Sequence, residues 1–133
     1  YGPRFHDMSD GYHKFYRDQL LSTAKKLNQK IYEGIYCMYS GPNFETPAEI
    51  NALKVIGGNA VGMSTVPEVI VANHCGLPVI AISVITNLAA GMNKTKLSHQ
   101  ETLENASLAE KNILQLIQNF INAVELNDSS GNN

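Results

Sequence analysis

The chain carries no run of lysine or arginine, and its formal net charge is −2. A protein that binds nucleic acid or an anionic membrane presents a basic patch, so neither is expected as a partner. Cysteine is scarce: Cys37 lies within a strand-like stretch and Cys75 at a helix end. Both sit among apolar residues and read as reduced, packed thiols in a reducing compartment. His74 precedes Cys75, but in a helix-terminus context rather than the positive or His-lined setting of a catalytic thiol. No stretch is long and apolar enough to span a membrane, and no secretory pattern occurs, so a cytoplasmic location is expected. HExxH, CxxC, GxGxxG and Walker patterns are absent. His6, His13, His74 and His99 lack ligand-like spacing, so no protein-bound metal is expected.

What is present suits a globular core. Apolar residues make up 44% of the chain and charged residues 17%, enough to fill one domain of 133 residues or a large piece of one. Tyr1-Gly2-Pro3-Arg4-Phe5 reads like the middle of a loop, so the chain is expected to be a piece of something longer.

Asp7, Ser9 and Asp10 are cap candidates before a helix expected over 11–30. Its stripe is Tyr12, Phe15, Tyr16, Leu20, Ala24 and Leu27. A strand covered on both faces is expected over 31–40. Thr46, Pro47 and Glu49 then form a capping box with proline in the first turn, and Gly57-Gly58 ends that helix. A short strand follows at 59–64, where Gly62 implies close approach to the backbone. Thr65 to Glu68 repeats the capping-box pattern and opens a helix to about Cys75, ended by Gly76. A continuous apolar strand is expected over 77–86. A looser segment spans 87–97. Ser98 and Glu101 start a last helix with Leu103, Ala106, Ile113, Ile117, Phe120 and Val124 as its stripe. The polar stretch 127–133 reads as a disordered tail and 1–126 as domain. Alternating buried strands and amphipathic helices predict an α/β fold with a mostly parallel sheet.

Ligands of such sheets collect outside the carboxyl ends of the strands. Three strand ends carry polar groups in apolar surroundings: Phe44-Glu45, Met63-Ser64 and Thr86-Asn87. Glu45 can accept two N–H bonds from the edge of a heterocycle, or can be a solvated residue favoured by the helix dipole. Asn87 offers both a donor and an acceptor, or can simply form a turn. Ser64-Thr65, before a helix N-terminus, suits an anion, although Thr65 also serves as a cap. His99 opens the last helix, a place where histidines are commonly surface residues.

The runs Ser40 to Glu49 and Asn59 to Ala72 resemble the purine nucleoside phosphorylase family, trimeric type. Ser83 to Asn87, Ser98 to Glu101, Gly2 to Phe5 and Met8 to Asp10 extend the match over nearly the whole chain except the tail. The resemblance implies a three-layer phosphorylase/hydrolase-like fold with a mixed, mostly parallel sheet. It also implies reversible phosphorolysis of a purine nucleoside in purine salvage, giving free base and ribose 1-phosphate. Inorganic phosphate is then a co-substrate and no cofactor is needed.

In the roles the resemblance implies, Phe44 stacks on the purine, Glu45 binds its N1 edge, and Asn87 bonds N7 and the 6-oxygen of the departing base. Val61 lines the base pocket, Tyr36 and Met63 hold the ribose, His99 its 5′-hydroxyl, and Ser64 touches phosphate. Glu45 with Asn87 implies a 6-oxopurine. The related methylthioadenosine phosphorylases favour Asp at the Asn87 position and an apolar residue near His99.

The family's chains are considerably longer, assemble as homotrimers, and carry a glycine-rich phosphate loop in their N-terminal half. This sequence resembles their second half. It is therefore expected to hold the base and ribose pocket, to lack most of the phosphate site, and to be inactive alone. Methylthioadenosine-type or nucleosidase chemistry on the same fold, and a non-catalytic purine-binding fragment, are the alternatives.

Overall fold

The structure, a computed structural model, describes residues 2, 4–92 and 98–130; of residues 101 and 126–130 it describes the backbone alone. Helix α1 spans Lys14–Lys26, strand β1 Tyr36–Met38, helix α2 Pro47–Val55, strand β2 Ala60–Gly62, helix α3 Val66–His74 and helix α4 His99–Ser130. This is a partial α/β fold. The chain forms two compact units, one from Tyr1–Tyr32, Val69–Ile82 and Ala109–Asn133, the other from Glu33–Glu68 and Ser83–Leu108.

The first unit has the larger core. Leu20 and Ala24 of α1 and Leu116 of α4 are buried together, with Leu27, Ile31, Ile80 and Phe120 packed around them. Tyr16 meets Phe120 edge to face. The apolar stripe expected on α1 is present, but the helix is shorter than the predicted 11–30. Its N-cap is His13, without a side-chain capping bond. Asp7 instead accepts from the backbone and hydroxyl of Ser9. Asn73 ties α3 to the N-terminal segment by donating to the Gly11 carbonyl at 2.8 Å.

The second unit is a strand–helix–strand crossover. β1 and β2 pair in parallel, with Tyr36 opposite Ala60, Cys37 opposite Val61 and Met38 opposite Gly62. Asn59 seals the entry to the ladder: its Oδ1 accepts from Ile35 N–H and its own N–H donates to the Ile35 carbonyl, both at 2.8 Å. α2 begins as predicted. Thr46 accepts from Glu49 N–H, Glu49 reaches back to Thr46 N–H, and Pro47 fills the first turn. It ends in a Schellman pair, Gly58 N–H to the Leu53 carbonyl and Gly57 N–H to the Lys54 carbonyl. The close approach predicted at Gly62 is made by Tyr36, whose hydroxyl occupies the space a Cβ would need.

Several expectations change, and the strand expected over 31–40 shortens to β1, with Tyr32 and Ile35 exposed before it. The strand over 77–86 does not form: among the described residues the sheet has two strands, β1 and β2. An extended run becomes a strand only when a neighbour supplies the complementary row of donors and acceptors. Here Ile82, Val84 and Ile85 are exposed instead of covered. Thr65 does not form a second capping box. Its φ is +77°, and its hydroxyl pairs with that of Ser64. An N-cap takes an extended conformation, and a β-branched residue reaches positive φ only at a steric cost. Cys75 is exposed rather than packed, while Cys37 is half-buried. Helix α4 runs on to Ser130, into the stretch that composition marks as a tail; residues 131–133 lie outside the described residues, as do 93–97 in the looser segment.

Candidate functional site

The turn after β1 is shaped by contacts at both of its ends. Gly41 adopts φ +64°, and a Cβ there would stand 2.5 Å from the sulfur of Met63, so glycine alone fits. The Gly41–Pro42 peptide is cis. Beyond it, Phe44 and Glu45 lead into Thr46 and helix α2. The Glu49 carboxylate fastens the turn: Oε1 accepts from the Tyr39 hydroxyl at 2.7 Å, and Oε2 accepts from Thr46 N–H at 2.7 Å. These bonds, the Thr46 backbone first and then Tyr39, hold the Glu49 carboxyl below its ordinary range.

A cleft of about 410 Å³ opens within the second unit, a size suited to a small heterocyclic ligand. Phe44 and Glu45 form one wall, Val61 and Met63 a second, and Thr86 and Asn87 a third, with Thr102 of α4 beside them. Three sequence segments thus meet at one cavity, as the polar strand ends predict. Glu45 is only 7% exposed. No hydrogen bond or ion pair reaches its carboxylate among the described residues. The residue is largely covered while its carboxylate oxygens keep access to the cleft, where they are available to N–H donors of a bound molecule.

Asn87 is oriented by its neighbours. Its Oδ1 accepts from the Thr86 hydroxyl at 2.7 Å and from the Thr102 hydroxyl at 3.3 Å, and one N–H of Nδ2 donates to the Leu88 carbonyl at 3.1 Å. The amide therefore has both lone pairs engaged and one N–H free.

Three further predicted residues stand apart from this lining. Tyr36 turns its hydroxyl toward Ser64, whose N–H donates to it at 3.5 Å, so these two meet each other at the end of β2. His99 is exposed at the first position of α4. Sequence reasoning missed Thr102, Lys54 and Met92, which also line the cleft. Thr102 carried a faint signal, a hydroxyl one turn after Ser98; Lys54 and Met92 carried none. Among the described residues, no group of three or more His, Cys, Asp or Glu is placed to hold a metal ion, and no helix is long and apolar enough to cross a membrane.

A family model described as the phosphorylase superfamily matches residues 1–122. The chain belongs to the phosphorylase superfamily. Within it, purine nucleoside phosphorylase 1 of Bacillus subtilis is 46% identical over 121 residues, covering 91% of this chain and 45% of that protein. Purine nucleoside phosphorylase 1 of Geobacillus stearothermophilus is 43% identical over 120 residues, covering 90% of this chain and 44% of that one. The crystal structure of Schistosoma purine nucleoside phosphorylase in complex with hypoxanthine superposes with a TM-score of 0.85 at 34% identity, over 90% of this chain and 44% of that chain. The chain thus spans less than half the length of these phosphorylases.

Proposed function

We propose that the cleft binds the base of a 6-oxopurine nucleoside, and that the protein takes part in reversible phosphorolysis of such nucleosides, a pentosyl transfer to phosphate. The observation that carries this reading is the pairing of Glu45, a residue only 7% exposed whose carboxylate has no partner among the described residues, with an Asn87 amide that has only an N–H to offer. An acceptor on one wall and a donor on another complement a lactam edge, N–H beside C=O, which a 6-oxopurine presents at N1 and C6. Phe44 supplies the stacking face and Val61 an apolar wall.

As the glycosidic bond breaks, negative charge gathers on the base and the sugar gains oxocarbenium character. An N–H fixed on the 6-oxygen stabilises that charge where it develops. Met63 and Tyr36 serve the ribose, His99 its 5′-hydroxyl, and Ser64 the phosphate, whose attack replaces the departing base. Inorganic phosphate is the co-substrate and no cofactor enters. The similarity to phosphorylases supports a homotrimeric, cytoplasmic enzyme of purine salvage.

Calorimetric titration of the purified chain tests the base reading directly. Hypoxanthine is expected to bind more tightly than adenine, and Glu45→Ala to abolish the binding. Equal affinity for the two bases, or binding that survives Glu45→Ala, would refute it. The reaction is tested by phosphate-dependent release of hypoxanthine from inosine, which the 133-residue chain by itself is expected not to give.

A further inference from the structure

We infer that Asn105, which lies outside the cleft, is a positioning residue that sets which atom of Asn87 faces the base, and so governs discrimination between 6-oxo and 6-amino purines. This rests on the base-binding reading above.

Asn105 lies in the part of α4 that belongs to the second unit. Its Nδ2 donates to the backbone carbonyl of Thr86 at 2.6 Å. Thr86 ends the apolar segment, and among the described residues no backbone N–H reaches its carbonyl to fix it. The Asn105 side chain takes over that task across nineteen positions of sequence. From the backbone so held, the Thr86 hydroxyl reaches Asn87 Oδ1 at 2.7 Å.

Thr102, one turn before Asn105 on α4, also contacts Oδ1, at 3.3 Å, but its single proton is shared with the Ser98 carbonyl at 3.2 Å. The shorter Thr86 bond therefore does most to orient the amide. The terminal torsion of asparagine is intrinsically broad and nearly two-fold. Without a fixed Thr86 hydroxyl, only the Leu88 carbonyl at 3.1 Å and the shared Thr102 proton still orient the Asn87 amide, and the turned form, with oxygen toward the cleft, gains population. A turned amide accepts from a 6-amino group as well as it donates to a 6-oxygen. Asn105 thus acts at one remove: Thr86 carbonyl, Thr86 hydroxyl, Asn87 amide, base.

The experiment measures dissociation constants for hypoxanthine and adenine in the wild-type chain, Asn105→Ala, Thr86→Val and the double variant. Each is measured well below its thermal midpoint, with far-UV circular dichroism confirming the fold. The expected result is a loss of about tenfold in hypoxanthine-over-adenine preference for each single variant, the scale of one hydrogen bond. The double variant should lose no more than either single, because both act through one contact. A selectivity ratio that a purely architectural residue would leave alone is the decisive readout. A folded Asn105→Ala with an unchanged ratio overturns the inference, and so do losses that add in the double variant. Should Asn105→Ala fail to fold, Thr86→Val decides: an unchanged ratio there also overturns it. If the wild-type chain binds neither base, the base-binding reading itself fails and takes this inference with it, an outcome distinct from an unchanged ratio.

Discussion

The Tyr39 hydroxyl and the Glu49 carboxylate meet at 2.7 Å, and the other oxygen of that carboxylate holds Thr46 N–H at the same distance. One side chain therefore joins the two ends of the turn that carries Phe44 and Glu45. Its carboxyl is held below the ordinary glutamate range by the Thr46 backbone, then the Tyr39 and Thr46 hydroxyls. A group whose pKa is depressed on folding contributes stability above its unfolded pKa, and that contribution is lost as pH falls through the folded value. The thermal midpoint should accordingly drop as pH passes below the ordinary glutamate range. Glu49→Gln should flatten that limb of the profile. Melting curves from neutral to acidic pH check this, and an identical limb in the variant would count against the clamp.

Glu45→Gln should separate binding from stability. The amide cannot offer two acceptor oxygens, and loss of a hydrogen bond to a charged group costs about 1.5–3 kcal/mol, or about 10- to 100-fold in hypoxanthine affinity. The same change keeps the size of the side chain and breaks no hydrogen bond among the described residues, so the stability of the folded chain should stay within about 0.5 kcal/mol. Calorimetry and denaturant titration read the two effects. A destabilised variant would mean that the carboxylate has a structural partner.

Asn87→Asp should reverse the preference of the cleft. A carboxylate at this position still accepts from the Thr86 and Thr102 hydroxyls but has no N–H for a 6-oxygen, and it can accept from a 6-amino group. The adenine-to-hypoxanthine affinity ratio should rise by about tenfold or more. Unchanged selectivity would remove Asn87 from base recognition.

Leu116→Ala serves as the contrast. Leu116 is 2% exposed in the core of the first unit and does not line the cleft. The truncation should cost about 2–5 kcal/mol of stability. Hypoxanthine affinity, measured below the transition, should stay as it is. Loss of affinity in the folded variant would show that base binding depends on that core.

Local chemistry explains what could be read in advance. The α2 capping box is written in four adjacent residues and forms as spelled. Gly62 announced a close approach because a strand gains nothing from a missing side chain unless something fills its place. The corner at Phe44-Glu45 was legible as a turn feeding a capped helix, but the burial of Glu45 was not, because burial depends on Val61, Met63 and Asn87 arriving from elsewhere. The apolar run 77–86 has strand composition, yet pairing is a property of two segments and composition describes one. Thr65 looked like a cap because the pattern records residue type and not φ. Asn105 and Tyr39 were silent for a related reason: each acts through a hydrogen bond to a partner that helix or strand periodicity does not reveal.

The Tyr36 hydroxyl fills the place of a side chain at Gly62, and this makes two positions, twenty-six apart in sequence, a single unit of inheritance. A Cβ at 62 must push the Tyr36 hydroxyl aside, whereas residue 36 can shrink first and leave only a void. A side chain at 62 therefore goes with a shorter or re-oriented residue at 36, and the two positions are expected to vary together.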